Sequence, residues 1–258
     1  LATLCAQLYG LIYIIYKVNQ TDLKKYIYLE CFYPKIRLLK DIIRQAIPAT
    51  GSMIFIGLGI FVLLYYVSIY GDYSAGGYGA AIRFEQLFLL PVLGLNASTL
   101  SLVGQNFGAL KFDRIRETYL KSVLYGTIFM GICGIFIFFA SSYIMIFFSS
   151  DPQIIYYGST YLKIAAFAGP CYPIFFISSA LLQGLKKPIY QMIINLMRMV
   201  ILPIFALTIA VIYLKVSFLT MFLVILSINY VFATLVFWFS VYQIKIESKN
   251  YNPNLAAV

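Results

Sequence analysis

Residues 46–70 read AIPATGSMIFIGLGIFVLLYYVSIY and contain no charged side chain. An apolar run of about 20 residues or more is long enough to cross the hydrocarbon core of a bilayer as a helix. Inside lipid a segment must satisfy its own backbone hydrogen bonds, which only a helix or a closed barrel achieves. Barrel strands are short and alternate between apolar and polar residues, and this run does neither. The segment is therefore predicted to be a membrane-spanning helix.

Similar apolar segments recur along the whole chain, separated by short polar breaks. The residues AVILMFWYC make up 62% of the 258 positions and charged residues only 11%, whereas charged residues approach ~25% in soluble domains. The predicted spans are 1–16, 46–70, 75–104, 121–149, 153–182, 188–213 and 217–242. We therefore predict an all-α membrane protein, a polytopic helical bundle of about seven transmembrane helices in which one partial helix precedes a six-helix bundle.

The basic residues alternate between the two sides of the predicted bundle. Segment 17–45 holds seven of them and segment 107–121 holds four, and two more follow at each of 186–187 and 243–258. The three breaks on the opposite side contain only Lys215. Because cytoplasmic loops are enriched in Lys and Arg, these segments are predicted to be cytoplasmic. The net charge of +10 thus reflects membrane topology, and no nucleic-acid partner is expected.

The residue types that support most enzyme chemistry are scarce. The chain has no histidine, and its four cysteines are widely spaced without a CxxC pair. Histidine-based catalysis, a zinc site and a disulfide framework are therefore not indicated. We expect no catalytic residues, no metal site and no cofactor, which argues against a membrane-embedded enzyme. A non-transporting structural subunit is a separate alternative and would have no water-accessible cavity.

Charged side chains inside the spans are the main clue to function, because burying a charge in a membrane is costly. Glu85 is the only carboxylate deep within a span, which makes it the first candidate for binding a coupling ion or a cationic substrate. Arg83 lies about 200° around the helix from Glu85, so the two cannot pair. Asn96 falls nearly on the Glu85 face of an ideal helix and is a possible polar neighbour. The alternative is that Arg83 and Glu85 lie solvated at the outer mouth or pair with another helix.

A second polar feature is a stripe formed by Gln191, Asn195 and Arg198 on one face of span 188–213. Such a stripe must face protein or water. We interpret it as a cavity wall; the alternative is a snorkelling arginine with interhelical hydrogen bonds. Lys163 can likewise snorkel outward from span 153–182.

Several spans contain residues that bend or hinge helices. Helices that rock past one another use such sites, although glycine and proline also allow close packing. The positions are Pro48, Pro91, Pro203 and the pair Gly169 and Pro170.

Four segments in order carry a family resemblance. They are AAIRFE at 80–85, PVLGL at 91–95, VGQNFGA at 103–109 and KFDRIR at 111–116, with weaker matches at IPA 47–49 and LLQGLKKP 181–188. Over residues 45–245 the chain resembles the multidrug and toxic compound extrusion (MATE) family.

This resemblance implies twelve helices in two six-helix bundles, with alternating access coupling outward movement of drugs or organic cations to inward H+ or Na+. This chain would hold helices six to twelve. It would begin with the end of a truncated N-terminal bundle at 1–16, followed by a cytoplasmic amphipathic connector at 17–45. The C-terminal bundle would occupy 46–242 and a cytoplasmic tail 243–258. The implied location is the bacterial inner membrane, and the implied partners are the lipid bilayer, a small amphipathic or cationic substrate and the missing N-terminal bundle.

The sequence departs from the family in one respect. Sodium-coupled members place acids in the first and fourth helices of this bundle, but 46–70 and 153–182 contain none. Other members use an aspartate in the first bundle, so the choice between H+ and Na+ stays open, with Glu85 as a possible substitute. The alternative function is a related flippase for lipid-linked saccharides, which needs a cationic cavity that Arg83, Lys163 and Arg198 could line.

Overall fold

The structure is a computed structural model that describes residues 2–21 and 36–251. Every regular element in that part of the chain is helical, which confirms the predicted all-α class. The α-helices are α1 (Ala2–Asn19), α2 (Ile36–Ser68), α3 (Asp72–Gly108), α4 (Phe112–Ile146), α5 (Pro152–Ala168), α6 (Cys171–Gly184), α7 (Pro188–Asn195), α8 (Leu202–Leu207) and α9 (Phe218–Tyr251). Two π-helical segments, Leu196–Ile201 and Thr208–Tyr213, flank α8.

Five of these helical stretches are long and apolar enough to cross a membrane, or six if the bent pair α5–α6 is one span. The five are Ile36–Ser68, Asp72–Gly108, Phe112–Ile146, Pro188–Tyr213 and Phe218–Tyr251. With the bent pair counted as one span, they correspond in order to the six predicted spans after residue 45. The predicted partial span at 1–16 is helix α1, which is not among them. The chain divides into two compact units, Leu1–Arg44 and Gln45–Val258, and the finer domain boundaries stay predictions.

Several helices are longer than hydropathy predicts. Helix α2 begins at Ile36 instead of 46, α4 begins at Phe112 instead of 121, and α9 ends at Tyr251 instead of 242. The added turns of α4 contain Glu117, which pairs with Lys121 one turn later. Hydropathy detects the apolar centre of a span, whereas such pairs allow the helix to continue into water. Parts of the predicted connector and tail, 22–35 and 252–258, lie outside the described residues.

The predicted bend at Gly169 and Pro170 is present, and the axes of α5 and α6 differ by 54°. Proline lacks the N–H that would continue the hydrogen-bond ladder, and its ring crowds the preceding turn. Pro48 and Pro91, in contrast, lie inside α2 and α3 without ending either helix. Tyr161 on α5 and Tyr172 on α6 therefore lie on two helices whose axes point in different directions.

Helices α3 and α5 approach closely where two glycines meet. A Cβ added to Gly77 would lie 2.8 Å from the backbone nitrogen of Gly158. One residue beyond Gly77, the ring of Tyr78 packs edge-on against Tyr161 at 4.9 Å. Both tyrosines belong to the largest apolar core cluster, whose fully buried members include Val67, Leu162, Leu207 and Met221. The close glycine contact thus brings Tyr78 on α3 near Tyr161 on α5.

We expect Gly77→Ala to lower the free energy of unfolding by about 1 kcal/mol or more, because the new methyl group meets backbone atoms that cannot move aside. Gly79→Ala is the matched control on the same helix, since a Cβ there has nothing within 4 Å. Alanine is the better helix former, so this control should not be less stable than the native protein. Denaturant unfolding of the purified protein in detergent measures both, and equal stabilities would contradict the packing argument.

Candidate functional site

Glu85 is a buried carboxylate held by two phenol groups from other helices. It lies on α3 with 5% of its surface exposed. Tyr161 on α5 donates its hydroxyl hydrogen bond to Oε2 at 2.5 Å, and Tyr172 on α6 donates to Oε1 at 2.7 Å. Hydrogen bonds to an ionised acceptor are about twice as strong as neutral ones and offset part of the cost of burial. The carboxylate therefore joins α3 to both arms of the bent pair.

The immediate surroundings of Glu85 are apolar. A cavity of about 10 Å³ adjoins the carboxylate and is bounded by Phe88, Met130, Leu162 and Tyr172. A space of that size holds at most about one water molecule. A hydrated ion therefore does not fit in the space beside the carboxylate.

A larger cavity of about 100 Å³ lies next to the two tyrosines. Tyr161 and Tyr172 line it, so each of them both bonds Glu85 and borders this second space. Its other polar residues are Arg198 and Asn229, and its remaining walls are apolar, with Leu63, Ile164, Pro203 and Phe222 among them. The tyrosines thus connect the carboxylate to a cavity that has a cation in its wall.

Arg198 is buried, with 8% of its surface exposed, in the π-helical segment Leu196–Ile201. Its Nη1 donates to Asn229 Oδ1 at 3.0 Å, and its guanidinium carbon lies 3.6 Å from the ring centroid of Phe175. Its Nε is buried and has no hydrogen-bond partner in the described part of the chain. Because π-helical turns are concentrated at functional sites, this segment is a natural place for a ligand-binding side chain.

The other two members of the predicted stripe bind neighbouring helices. Gln191 Oε1 accepts from Gln183 Nε2 on α6 at 2.9 Å, and Asn195 Nδ2 donates to Ser52 Oγ on α2 at 2.6 Å. Both are buried. Gln191 and Asn195 thus form the interhelical hydrogen bonds of the alternative interpretation, and of the three stripe residues only Arg198 lines the 100 Å³ cavity.

The remaining candidates do not join the Glu85 site. Arg83 is exposed while Glu85 is buried, in agreement with their predicted angular separation. Asn96 donates from Nδ2 to the backbone oxygen of Phe176, which places its amide on the contact between α3 and α6. Lys163 is exposed as well, so the cations Arg83, Lys163 and Arg198 do not converge on one cavity.

Tyr161 and Tyr172 were not predicted as site residues. The chain contains 23 tyrosines, and the two that bind Glu85 have no distinguishing local motif. The available signal was indirect: a buried carboxylate requires hydrogen-bond donors, and these tyrosines flank the break at Gly169 and Pro170.

Comparisons with known proteins agree with this architecture. The chain is 26% identical over 192 residues to a probable multidrug resistance protein of Bacillus subtilis, covering 74% of this chain and 42% of that protein. It is 30% identical over 132 residues to an FAD transporter of Shewanella oneidensis, covering 51% of this chain and 29% of that protein. A solved MOP superfamily transporter from Pyrococcus furiosus shares the fold, with a TM-score of 0.81 at 21% identity over 86% of this chain and 50% of the other.

The chain thus spans half or less of the length of these three proteins. The membrane-spanning helices and the bacterial relatives confirm the predicted localisation, a multi-pass protein of the bacterial inner membrane. The family model MatE matches residues 48–208, which is more than half of the chain. The resemblance noted in the sequence is therefore confirmed, and the chain belongs to the MatE family.

Proposed function

We propose that this chain is the C-terminal half of a secondary efflux transporter that exchanges small molecules for protons across the bacterial inner membrane. The observation that carries the proposal is the buried Glu85 carboxylate, bound by Tyr161 and Tyr172 on the two arms of a bent helix pair. Relatives named as a multidrug resistance protein and an FAD transporter support transport as the activity. A titratable group at membrane depth is costly and is typical of ion pathways, which favours a transporter over a structural subunit or an enzyme.

The geometry around Glu85 favours H+ over Na+ as the coupling ion. A sodium ion requires several oxygen ligands, but the two side chains that touch this carboxylate approach it as hydrogen-bond donors. The adjoining space of about 10 Å³ would not hold a hydrated ion. A proton needs no such space.

Protonation offers a direct way to change the helix contacts. An ionised carboxylate only accepts hydrogen bonds, whereas a protonated one has a donor of its own. Neutral Glu85 would bind its two phenol donors less strongly. The contacts from α3 to α5 and α6 would then weaken on both sides of the 54° bend, and rocking about such a bend is a common form of conformational switching.

The first test measures which ion gradient drives transport. The full-length protein is reconstituted in liposomes, and movement of the cationic dye ethidium is followed under an imposed pH gradient or an imposed Na+ gradient. We expect the pH gradient alone to drive dye movement, because a single carboxylate with two donors suits a proton. Transport driven by Na+ alone would contradict proton coupling, and no transport under either gradient would contradict the efflux function.

The flippase alternative receives no support from the site. It depended on three cations meeting in one cavity, and only Arg198 borders the 100 Å³ cavity while Arg83 and Lys163 are exposed.

A further inference from the structure

Arg198 is a buried cation that forms no ion pair with any residue in the described ranges. The ion pairs formed among the described residues join Glu117 to Lys121 and Glu247 to Lys187, and neither includes Arg198. The face of Phe175 and the amide oxygen of Asn229 stabilise the guanidinium only in part. An unpaired charge in a buried position is unfavourable unless something neutralises it. An anion bound at this position would therefore offset the cost of burying the charge.

The guanidinium of Arg198 is a charged group with donors beyond the one it gives to Asn229. Nη1 is committed to Asn229, and Nε is buried, without a partner in the described ranges and not accessible from the cavity. A guanidinium carries five N–H donors in a planar fork, and this fork and its charge suit the oxygens of a carboxylate or phosphate.

The other polar groups of the cavity are uncharged in their hydrogen bonds, and each already has a partner. The hydroxyls of Tyr161 and Tyr172 donate to Glu85. Asn229 accepts from Arg198 and donates from Nδ2 to the backbone oxygen of Ile225 at 3.1 Å. Arg198 thus supplies the formal charge among these four residues, whereas the tyrosine oxygens retain only neutral acceptor lone pairs and Asn229 one amide N–H. A cationic ligand would meet a positive charge here, whereas an anionic one would meet its complement.

The apolar part of the lining indicates the rest of the ligand. Leu63, Ile164, Pro203 and Phe222 surround the cavity. Its volume of about 100 Å³ accommodates one small charged head with a few carbon atoms. A ligand that fits both surfaces combines an oxyanion head with an apolar body.

We infer that the cavity bordered by Arg198, Asn229 and Tyr172 binds the oxyanion head of an amphipathic organic anion, with the guanidinium group of Arg198 as its ligand. This inference rests on the proposed function in one respect, because it assigns a substrate class to the transporter. It extends the expected substrate range from cationic to anionic amphiphiles. Tyr172 both borders this cavity and binds Glu85, so one side chain lies between the bound head and the proposed proton carrier.

Equilibrium binding of radiolabelled benzoate to the purified full-length protein in detergent tests the inference without any ion gradient. Native protein should bind benzoate, and Arg198→Gln should weaken binding at least about ten-fold, because the charged donors are removed. Arg198→Lys should recover part of the affinity, since lysine restores the charge but not the paired donors. Lys111→Gln removes an equal charge from an exposed position and should bind as native protein does.

Two competitors make the test independent of whether an Arg198 variant folds. Benzamide has nearly the same shape without the charge, and benzylammonium has the opposite charge. Both should displace benzoate from native protein at least about ten-fold less well than unlabelled benzoate does. The inference is overturned if benzylammonium competes as well as benzoate, or if a folded Arg198→Gln protein retains native affinity. These readouts need no transport. Loss of proton-driven efflux while benzoate binding is intact would therefore contradict the proposed function but not this inference.

Discussion

Glu85→Gln is expected to reduce pH-driven dye movement in liposomes to the level of protein-free vesicles. Glutamine keeps the size and shape of glutamate but can neither release nor take up a proton. Its amide oxygen can still accept from one tyrosine, while its NH₂ group faces the other phenol. Since Glu85 is the buried carboxylate of the bent-pair site, the exchange should abolish coupling without removing a large side chain from the core.

The matched control is Glu117→Gln, the same substitution at an exposed carboxylate on α4. Glu117 pairs with Lys121 one turn away, and both side chains are exposed. Surface pairs of this kind contribute little to stability, so this variant should transport as the native protein does. Native pH-driven transport by Glu85→Gln would exclude Glu85 as the proton carrier. If both variants lose transport while remaining folded, the loss cannot be assigned to the buried site.

Membrane physics explains why sequence alone predicted the helix order and Glu85. Every apolar span must be a helix in lipid, so hydropathy was sufficient for the order of the spans after residue 45, although the predicted span 1–16 is not among the candidate spans. A carboxylate in such a span is rare, which distinguished Glu85 without any structural information. Its partners Tyr161 and Tyr172 lie 76 and 87 positions away, and their positions depend on a glycine contact and a proline bend that no local pattern specifies.

The polar stripe shows a second limit of periodicity. Gln191, Asn195 and Arg198 share a face if the helix is ideal, but α7 ends at Asn195 and Arg198 lies in a π-helical segment. Wider π turns change the angular register of the residues that follow. The three side chains bind groups on three different helices. Asn96 illustrates the same point. Helical periodicity predicts which face of α3 it lies on, but not that its amide donates to the backbone oxygen of Phe176.

Lys187→Met is expected to lower the free energy of unfolding by about 1–3 kcal/mol, because it leaves a buried carboxylate without its counter-charge. Lys187 lies between α6 and α7 and binds Glu247 Oε1 at 2.5 Å and Gln243 Oε1 at 2.9 Å. The Glu247 side chain is only 8% exposed and that of Lys187 25%, so the effect should be smaller than for a completely buried pair. Methionine retains the packing of the lysine stem, which isolates the electrostatic contribution.

Lys186→Met provides the control because the neighbouring lysine is exposed and loses the same charge. Denaturant unfolding in detergent should give this variant a stability within about 0.5 kcal/mol of native protein. The end of α9, before Tyr251, extends past the predicted membrane boundary at 242. If the pair holds this end to the α6–α7 connection, Lys187→Met should also increase hydrogen exchange in these last turns. Equal stability and equal exchange in the two variants would mean that this helix extension does not depend on the Lys187–Glu247 pair.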